Sequence, residues 1–278
     1  MLRTSRLNIS GAVINAAALI LVLSYALPYI YLLMTALKPA ADVQQIPPSF
    51  FPAALSFENF QAVFQSSTLP RAFVNSLIVA ILTTLFSLAV AIPAAYVATQ
   101  YRRRITTLFL LFALVTRMVP SVSLGVPLFQ LLKSLGLLDT IPGLVLAHTS
   151  AALPLALLLM SAFFEGLPKE LEEAARMDGC TRFQAFQKIV LPVMTGAIAV
   201  TALFTFITSW NEFLYALLLT SEATKTAPIV IAEYNSVYGL AWGAMTAAAV
   251  LYSLPVIIVT LALQKQIVGG LTFGAVKG

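Results

Sequence analysis

Apolar positions along this chain run in long blocks rather than in stripes. Six blocks stand out, at about 11–36, 72–99, 105–127, 141–164, 193–220 and 241–264, each apolar on every side with few charges. A helix needs ~20 such residues to cross ~30 Å of hydrocarbon. A transmembrane barrel would instead show alternating strands of ~10 residues. The pattern therefore predicts an all-α, polytopic membrane protein, with six transmembrane helices in a single domain spanning residues 1–278. Two polar stretches are longer than the other connections. One runs from Lys38 to Arg71 and is rich in proline; it holds an amphipathic piece from Phe57 to Phe64 and predicts a small extracytoplasmic cap. The other, 165–192, is densely charged.

Composition excludes a water-soluble core. The chain is 60% hydrophobic and 10% charged, where soluble domains carry ~25% charge. The net charge of +5 does not indicate nucleic acid, because the basic residues flank the apolar blocks. With the N-terminus inside, eleven of them lie on the inner side, including Arg102, Arg103, Arg104 and Lys169; four lie outside, and Arg117 falls within a block. The positive-inside rule then predicts cytoplasmic N- and C-termini. The first block follows Arg3 and Arg6 and is too long for a signal-peptide core, so it reads as an uncleaved anchor. Cys180 is the single cysteine, which excludes an internal disulfide.

Local rules make the stretch 165–192 a helix–turn–helix. Pro168 suits a first helical turn, and Glu170, Glu172 and Glu173 sit near its positive end. Leu171, Ala174 and Ala175 would form one apolar face, and Gly179 the left-handed terminator. Thr181 with Gln184 forms a capping box for a second helix, whose apolar face would be Phe183, Phe186, Ile189 and Val190. Pro192 would end it before the next span. Such a hairpin either fits a groove in a partner or packs on its own spans.

The spacing Glu173-Ala174-Ala175, three residues, Gly179, nine residues, Ile189, one residue, Leu191-Pro192 resembles the EAA loop of ABC importer permeases. Further segments extend the likeness over nearly the whole chain: Thr35-Ala36-Leu37-Lys38-Pro39, Asn75-Ser76-Leu77, Ala94-Ala95-Tyr96, Gly136-Leu137-Leu138-Asp139-Thr140, Trp210-Asn211-Glu212-Phe213, and the tail from Gly270 to Gly278. Together they are similar to the shorter permease subunit of the maltose-type carbohydrate family. That resemblance implies a type I ABC importer permease fold in a bacterial inner membrane, and alternating access by a sugar or sugar-like solute. It implies no cofactor on this chain, with ATP and Mg on a separate cytoplasmic ATPase dimer. It also implies a second permease subunit as heterodimer partner, a periplasmic or lipid-anchored sugar-binding protein, and surrounding membrane lipid.

The implied ATPase-coupling residues are Glu173, Ala174, Ala175, Arg176, Met177, Asp178, Gly179, Arg182, Leu191 and Pro192. The implied ATPase-contacting tail residues are Gly274, Lys277 and Gly278; the plain alternative for the tail is a frayed end. A transport subunit without its own ATPase agrees with the sequence. Gly269 and Gly274 have the phosphate-loop gap, but Ala275 stands where the lysine belongs.

Polar groups at membrane depth are the candidates for the translocation path: Arg117, His148, Trp210, Asn211 and Glu212. Each has a plainer reading. Arg117 and Glu212 would pair with each other or with the partner subunit, His148 would hydrogen-bond between helices, and Trp210 would pack. Asn75 reads as a helix cap, and Gly239 and Gly243 as sites of close packing. An EAA-loop permease for a non-sugar solute and a secondary transporter stay as alternatives. The tail and the Trp210–Phe213 segment favour the carbohydrate branch. No His-Glu-x-x-His or Gly-x-Ser-x-Gly supports a membrane enzyme.

Overall fold

The computed structural model describes residues 9–100, 104–236 and 239–273. Arg3, Arg6, Arg102, Arg103 and the tail residues Gly274, Lys277 and Gly278 lie outside the described residues. In chain order the elements are α1 (Ile9–Ala36), α2 (Glu58–Gln65), α3 (Leu69–Gln100), α4 (Arg104–Met118), α5 (Ser121–Ser134) and α6 (Ile141–Glu165). They continue with α7 (Glu170–Met177), α8 (Arg182–Ala185), a π turn (Phe186–Val190), α9 (Leu191–Val193), α10 (Thr195–Trp210) and α11 (Leu214–Leu219). Last come α12 (Ala227–Glu233), the strands β1 (Asn235–Ser236) and β2 (Gly239–Leu240), paired antiparallel, and α13 (Trp242–Phe273).

Among the described residues, four helices are long and apolar enough to span a membrane alone: α1, α3, α6 and α13. Two bent helix pairs bring the number up to the six expected spans if each pair counts as one. The expected straight span 105–127 is instead α4 and α5, bent by 102°. Pro120 is the cause: it stands as the extended residue before α5, and a proline disfavours helix in the residue preceding it.

The second pair bends by 72° at Met194, between the Arg182–Val193 segment and α10. Pro192 was expected to end the preceding helix. Instead the helix runs through it, because the π turn just before widens the ladder, with Leu191 N–H bonding Phe186 O. The expected span 193–220 also breaks at 211–213 before resuming as α11.

Two contact units make up the chain. The first runs to Ser67 and adds Ile231–Ser253. Within it, Asn59 of α2 caps α1: its Nδ2 donates to Ala36 O (3.0 Å) and Lys38 O (2.8 Å). A Cβ on Gly243 would fall 2.1 Å from Asn59 Oδ1, so the close packing expected of this glycine is real. Lys38 is buried, donating from Nζ to Ser49 O at 2.5 Å. Along α1, apolar side chains such as Ile14, Ile20 and Tyr25 stand exposed, a surface suited to lipid.

The second unit is Thr68–Val230 with the rest of α13. Its centre is α3 packed on α6 and α10. α3 presents a stripe of small buried residues, among them Ala72, Ser76, Ala80, Thr83, Ser87, Ala91, Ala95 and Ala98, at helical spacing. α6 offers Ala147, Ala152 and Ala156. In lipid no hydrophobic effect drives helices together, so close backbone approach and dispersion do, and small residues permit both. Apolar clusters cap the two ends of this bundle. Val79, Leu132, Leu144, Tyr215 and Leu219 form one; Ala95, Met160, Phe164, Val190 and Met194 form the other.

Candidate coupling site

The charged hairpin grows from the end of α6. α7 ends in a glycine turn: Cys180 N–H reaches Ala175 O (3.0 Å) and Gly179 N–H reaches Arg176 O (3.1 Å). This is the Schellman pattern with Gly179 in the left-handed position, φ +90°. No heavy atom would lie within 4 Å of a Cβ there, so backbone conformation alone demands the glycine. The capping box then starts α8. Gln184 N–H donates to Thr181 Oγ1 (3.3 Å), and Thr181 N–H to Gln184 Oε1 (2.9 Å).

The inward face differs from the expected one. Ala175 is buried, but Leu171 and Ala174 are exposed. In the second helix Val190 and Ala185 are buried, whereas Phe183 is 70% exposed. The anchor that turns α7 in this sense is polar: Glu172 accepts hydrogen bonds from Tyr96 Oη (2.8 Å) and Gln100 Nε2 (2.9 Å) at the end of α3. The Tyr96 ring lies 4.5 Å from that of Phe186 and 5.7 Å from that of Phe164. Glu172 and Tyr96 stand out in the sequence only as an acidic first turn and as part of the Ala94-Ala95-Tyr96 segment; their pairing, and Gln100, are visible only in the structure. The hairpin's outward face then carries Glu173, Ala174, Arg176, Met177, Asp178 and Arg182, all exposed, with Met177 at 88%. Leu191 is half-buried and Pro192 exposed on the following turn.

At the far end of the same bundle a second glycine turn ends α5. Leu137 N–H bonds Leu132 O (2.8 Å) and Gly136 N–H bonds Lys133 O (3.1 Å), with Gly136 at φ +67°. Asp139 follows, itself at φ +56°, a region aspartate tolerates through its short polar side chain. Its carboxylate accepts from Ser221 N–H (2.8 Å) and from the hydroxyls of Ser221 and Thr224. Partial burial pushes the Asp139 pKa up, but the Ser221 and Thr224 hydrogen bonds and the charge of Arg71 outweigh it, leaving the carboxyl below its ordinary value. Thr140 caps α6 by accepting from Gly143 N–H (3.1 Å).

Asn75, expected as a helix cap, lies inside α3. It donates instead to Ala223 O (3.2 Å) and Lys225 O (2.9 Å), while Ser76 Oγ accepts from Ala227 N–H (2.8 Å). α3 begins at Leu69, so the asparagine is already within the helix and free to bind the neighbouring loop.

Two of the five path candidates, His148 and Glu212, meet in one place. His148 is buried, its Nδ1 2.9 Å from Ser209 Oγ and its Nε2 3.5 Å from Glu212 Oε2. The latter distance is an electrostatic approach rather than a formed hydrogen bond. Glu212 occupies the break before α11, where its carboxylate accepts from Tyr215 N–H (3.0 Å) and Ala216 N–H (3.2 Å). It therefore caps the resumed helix. Trp210 is buried, stacked on Phe206 at 5.7 Å, while Asn211 is exposed. Among the described residues the expected Arg117–Glu212 pair is not formed. Arg117 stands exposed in the last turn of α4, before the Pro120 bend, and His148 takes the place beside Glu212.

The exposed charged hairpin, the bent helix pairs and the small-residue bundle together describe a multi-spanning all-α membrane fold. Residues 87–272 match the family described as binding-protein-dependent transport system inner membrane component. A probable ABC transporter permease protein of Sinorhizobium fredii is 37% identical over 259 residues, covering 93% of this chain and 92% of that protein. The trehalose transport system permease protein SugB of Mycobacterium tuberculosis is 37% identical over 262 residues, covering 93% and 95%. Among solved structures, a bacterial ABC transporter involved in the import of the acidic polysaccharide alginate superposes with a TM-score of 0.76 at 25% identity, covering 96% of this chain and 100% of that one. The chain belongs to the binding-protein-dependent transport system inner membrane component family, as an ABC importer permease subunit. In this class ATP hydrolysis belongs to a separate subunit, so the chain is a transport component and not an enzyme.

Proposed function

We propose that this subunit carries a sugar or sugar-like solute from an extracytoplasmic binding protein into the cytoplasm, as one half of a permease heterodimer driven by a cytoplasmic ATPase dimer that binds ATP and Mg. The observation that carries the reading is the hairpin: one face tied to α3 through Glu172, the other presenting Arg176–Arg182 around the Gly179 turn. An exposed turn held rigidly from behind transmits force, because it cannot yield when its partner moves. The sugar assignment is supported by the trehalose permease relative and by the relative that imports alginate.

Closing of the ATPase dimer draws the two coupling hairpins together, and the permease pair opens outward to the loaded binding protein; hydrolysis resets it inward. Both termini are cytoplasmic on this reading, and the tail residues Gly274, Lys277 and Gly278 contact the ATPase. Glu173 and Asp178 meet basic ATPase residues, and Met177 inserts its apolar side chain. Arg117 and Asn211, exposed near the ends of their helices, face the path; His148, Trp210 and Glu212 support its wall. The test is ATP hydrolysis by the reconstituted complex. Sugar-loaded binding protein is expected to stimulate it several-fold, and identical rates with and without loaded binding protein would overturn the reading.

A further inference from the structure

His148 carries a polar atom that its surroundings leave unused. The residue is 1% exposed, and its Nε2 finds no hydrogen-bond partner among the described residues. A buried polar nitrogen without a partner is costly, and native structures keep few of them. The surroundings decide its tautomer. Glu212 Oε2 lies 3.5 Å from Nε2 and already accepts from Tyr215 and Ala216 N–H, so a lone pair on Nε2 would face an acceptor. The proton therefore belongs on Nε2, and Ser209 Oγ donates to Nδ1 at 2.9 Å.

Glu212 stands where the chain is able to bend. The helical run stops at Trp210 and resumes at Leu214. Beyond the break, α11 is fastened to α5 and its following loop. Leu218 packs on Gly125, where a Cβ would fall 2.5 Å from its Cδ1, and Leu219 O accepts from Asp139 N–H at 3.0 Å. Before the break, α10 packs on α6, which carries His148. A shift between these two layers is taken up at 211–213, beside the unpaired Nε2. Closure by about half an ångström would make the contact a formed N–H···O bond.

We propose that His148 is a positioning residue for transport, and that its contact with Glu212 is a latch, closed to a hydrogen bond in one alternating-access state and open, as here, in the other. His148 acts through Glu212, which caps α11 and so sets how the resumed helix leaves the break. The unpaired donor raises the energy of the open state, and a state that closes the contact is favoured by that difference. The latch rests on the two-state cycle proposed above.

A double-mutant cycle in the assembled complex with its ATPase tests it. Thermal unfolding midpoints are read without nucleotide and after trapping with ATP, Mg and vanadate. His148→Asn keeps an amide near Nδ1 for Ser209 but has nothing at Nε2, whereas His148→Gln places its amide near Nε2. Glu212→Gln keeps an oxygen for the backbone N–H groups and sets an amide against Nε2. In one state the losses from His148→Asn and Glu212→Gln are expected to add. In the other the double variant is expected to fall short of the sum by a few degrees, because either change alone already breaks the bond. Additivity in both states, or equal coupling in both, would overturn the latch. ATP hydrolysis by the same complexes gives a readout that packing alone would not move. Its rate is expected to change at least about twofold in His148→Asn and to return most of the way in His148→Gln. Equal rates in the two variants would overturn the role of Nε2. If trapping leaves the wild-type midpoint unchanged, the ATP-driven cycle itself fails, and the latch with it.

Discussion

The two ends of the α3–α6–α10 bundle use the same local turn for opposite purposes. Gly136 and Gly179 both terminate a helix in the left-handed conformation, each with the same pair of backbone hydrogen bonds and open space around the missing side chain. After Gly136 the polar residues turn inward on their own chain: Asp139 binds Ser221 and Thr224, Thr140 caps α6, and Asn75 and Ser76 hold the 223–227 segment. Around Gly179, Glu172 is tied back to α3, and the flanking Arg176, Met177, Asp178 and Arg182 are exposed. A turn whose polar groups are satisfied internally is a clasp. A turn that leaves charged groups outward is, on the proposed function, the docking surface, where a partner buries them.

The largest contrast is expected from valine at the two glycines. Gly179→Val forces a β-branched residue to positive φ, where the left-handed conformation costs roughly 1–2 kcal/mol or more. Uptake is expected to fall at least about tenfold, the factor for ~1.4 kcal/mol, with the protein still inserted in the membrane. The same change at Gly136 is expected to lower the unfolding midpoint but leave uptake per inserted molecule near wild type. If both variants lose transport equally, the two turns do not differ as described.

Next in size is Asp139→Ala, which strands one backbone and two hydroxyl donors. Discounted for its partial exposure, the loss is expected to be about 1–2 kcal/mol of stability, read by thermal denaturation, with little change in coupled ATPase activity. Glu172→Ala is expected to cost a similar amount but also to weaken stimulation by loaded binding protein. Glu172→Gln, which keeps an acceptor for Tyr96 and Gln100, is expected to recover most of that stimulation. Full stimulation in Glu172→Ala would remove the anchor role.

The smallest effect is in pH. The Asp139 carboxyl lies lower in the folded protein than in the unfolded chain. Its contribution is therefore complete above the ordinary value of ~3.9 and is lost as pH falls through the lowered folded value. Between pH 6 and pH 3 the wild-type midpoint is expected to drop further than that of Asp139→Asn. Parallel curves would show that the clasp does not depend on the charge.

Much of the architecture was legible because membrane spans and helix caps are local. Twenty apolar residues in a row need no tertiary context to choose lipid, and the Thr181–Gln184 box and Gly179 turn depend on neighbours a few residues away. Boundaries failed where a proline acted through geometry. Pro120 produced a 102° bend rather than a tolerated kink, and Pro192 was absorbed by a π turn. Facing failed on the hairpin because Leu171 and Ala174 looked like its core by periodicity, and no periodicity reveals that Tyr96 and Gln100 draw Glu172 inward.

The sequence by itself determined the lipid-spanning class, the position of the hairpin and the glycine that turns it, since each follows from composition or from short-range hydrogen bonding. Tertiary structure alone decided which face of that hairpin points outward, that Glu212 meets His148 rather than Arg117, and that Asn75 holds a loop instead of capping its helix. Those choices join residues dozens of positions apart. They are made by which small side chains let helices approach, and that is a property of the packed bundle rather than of any segment.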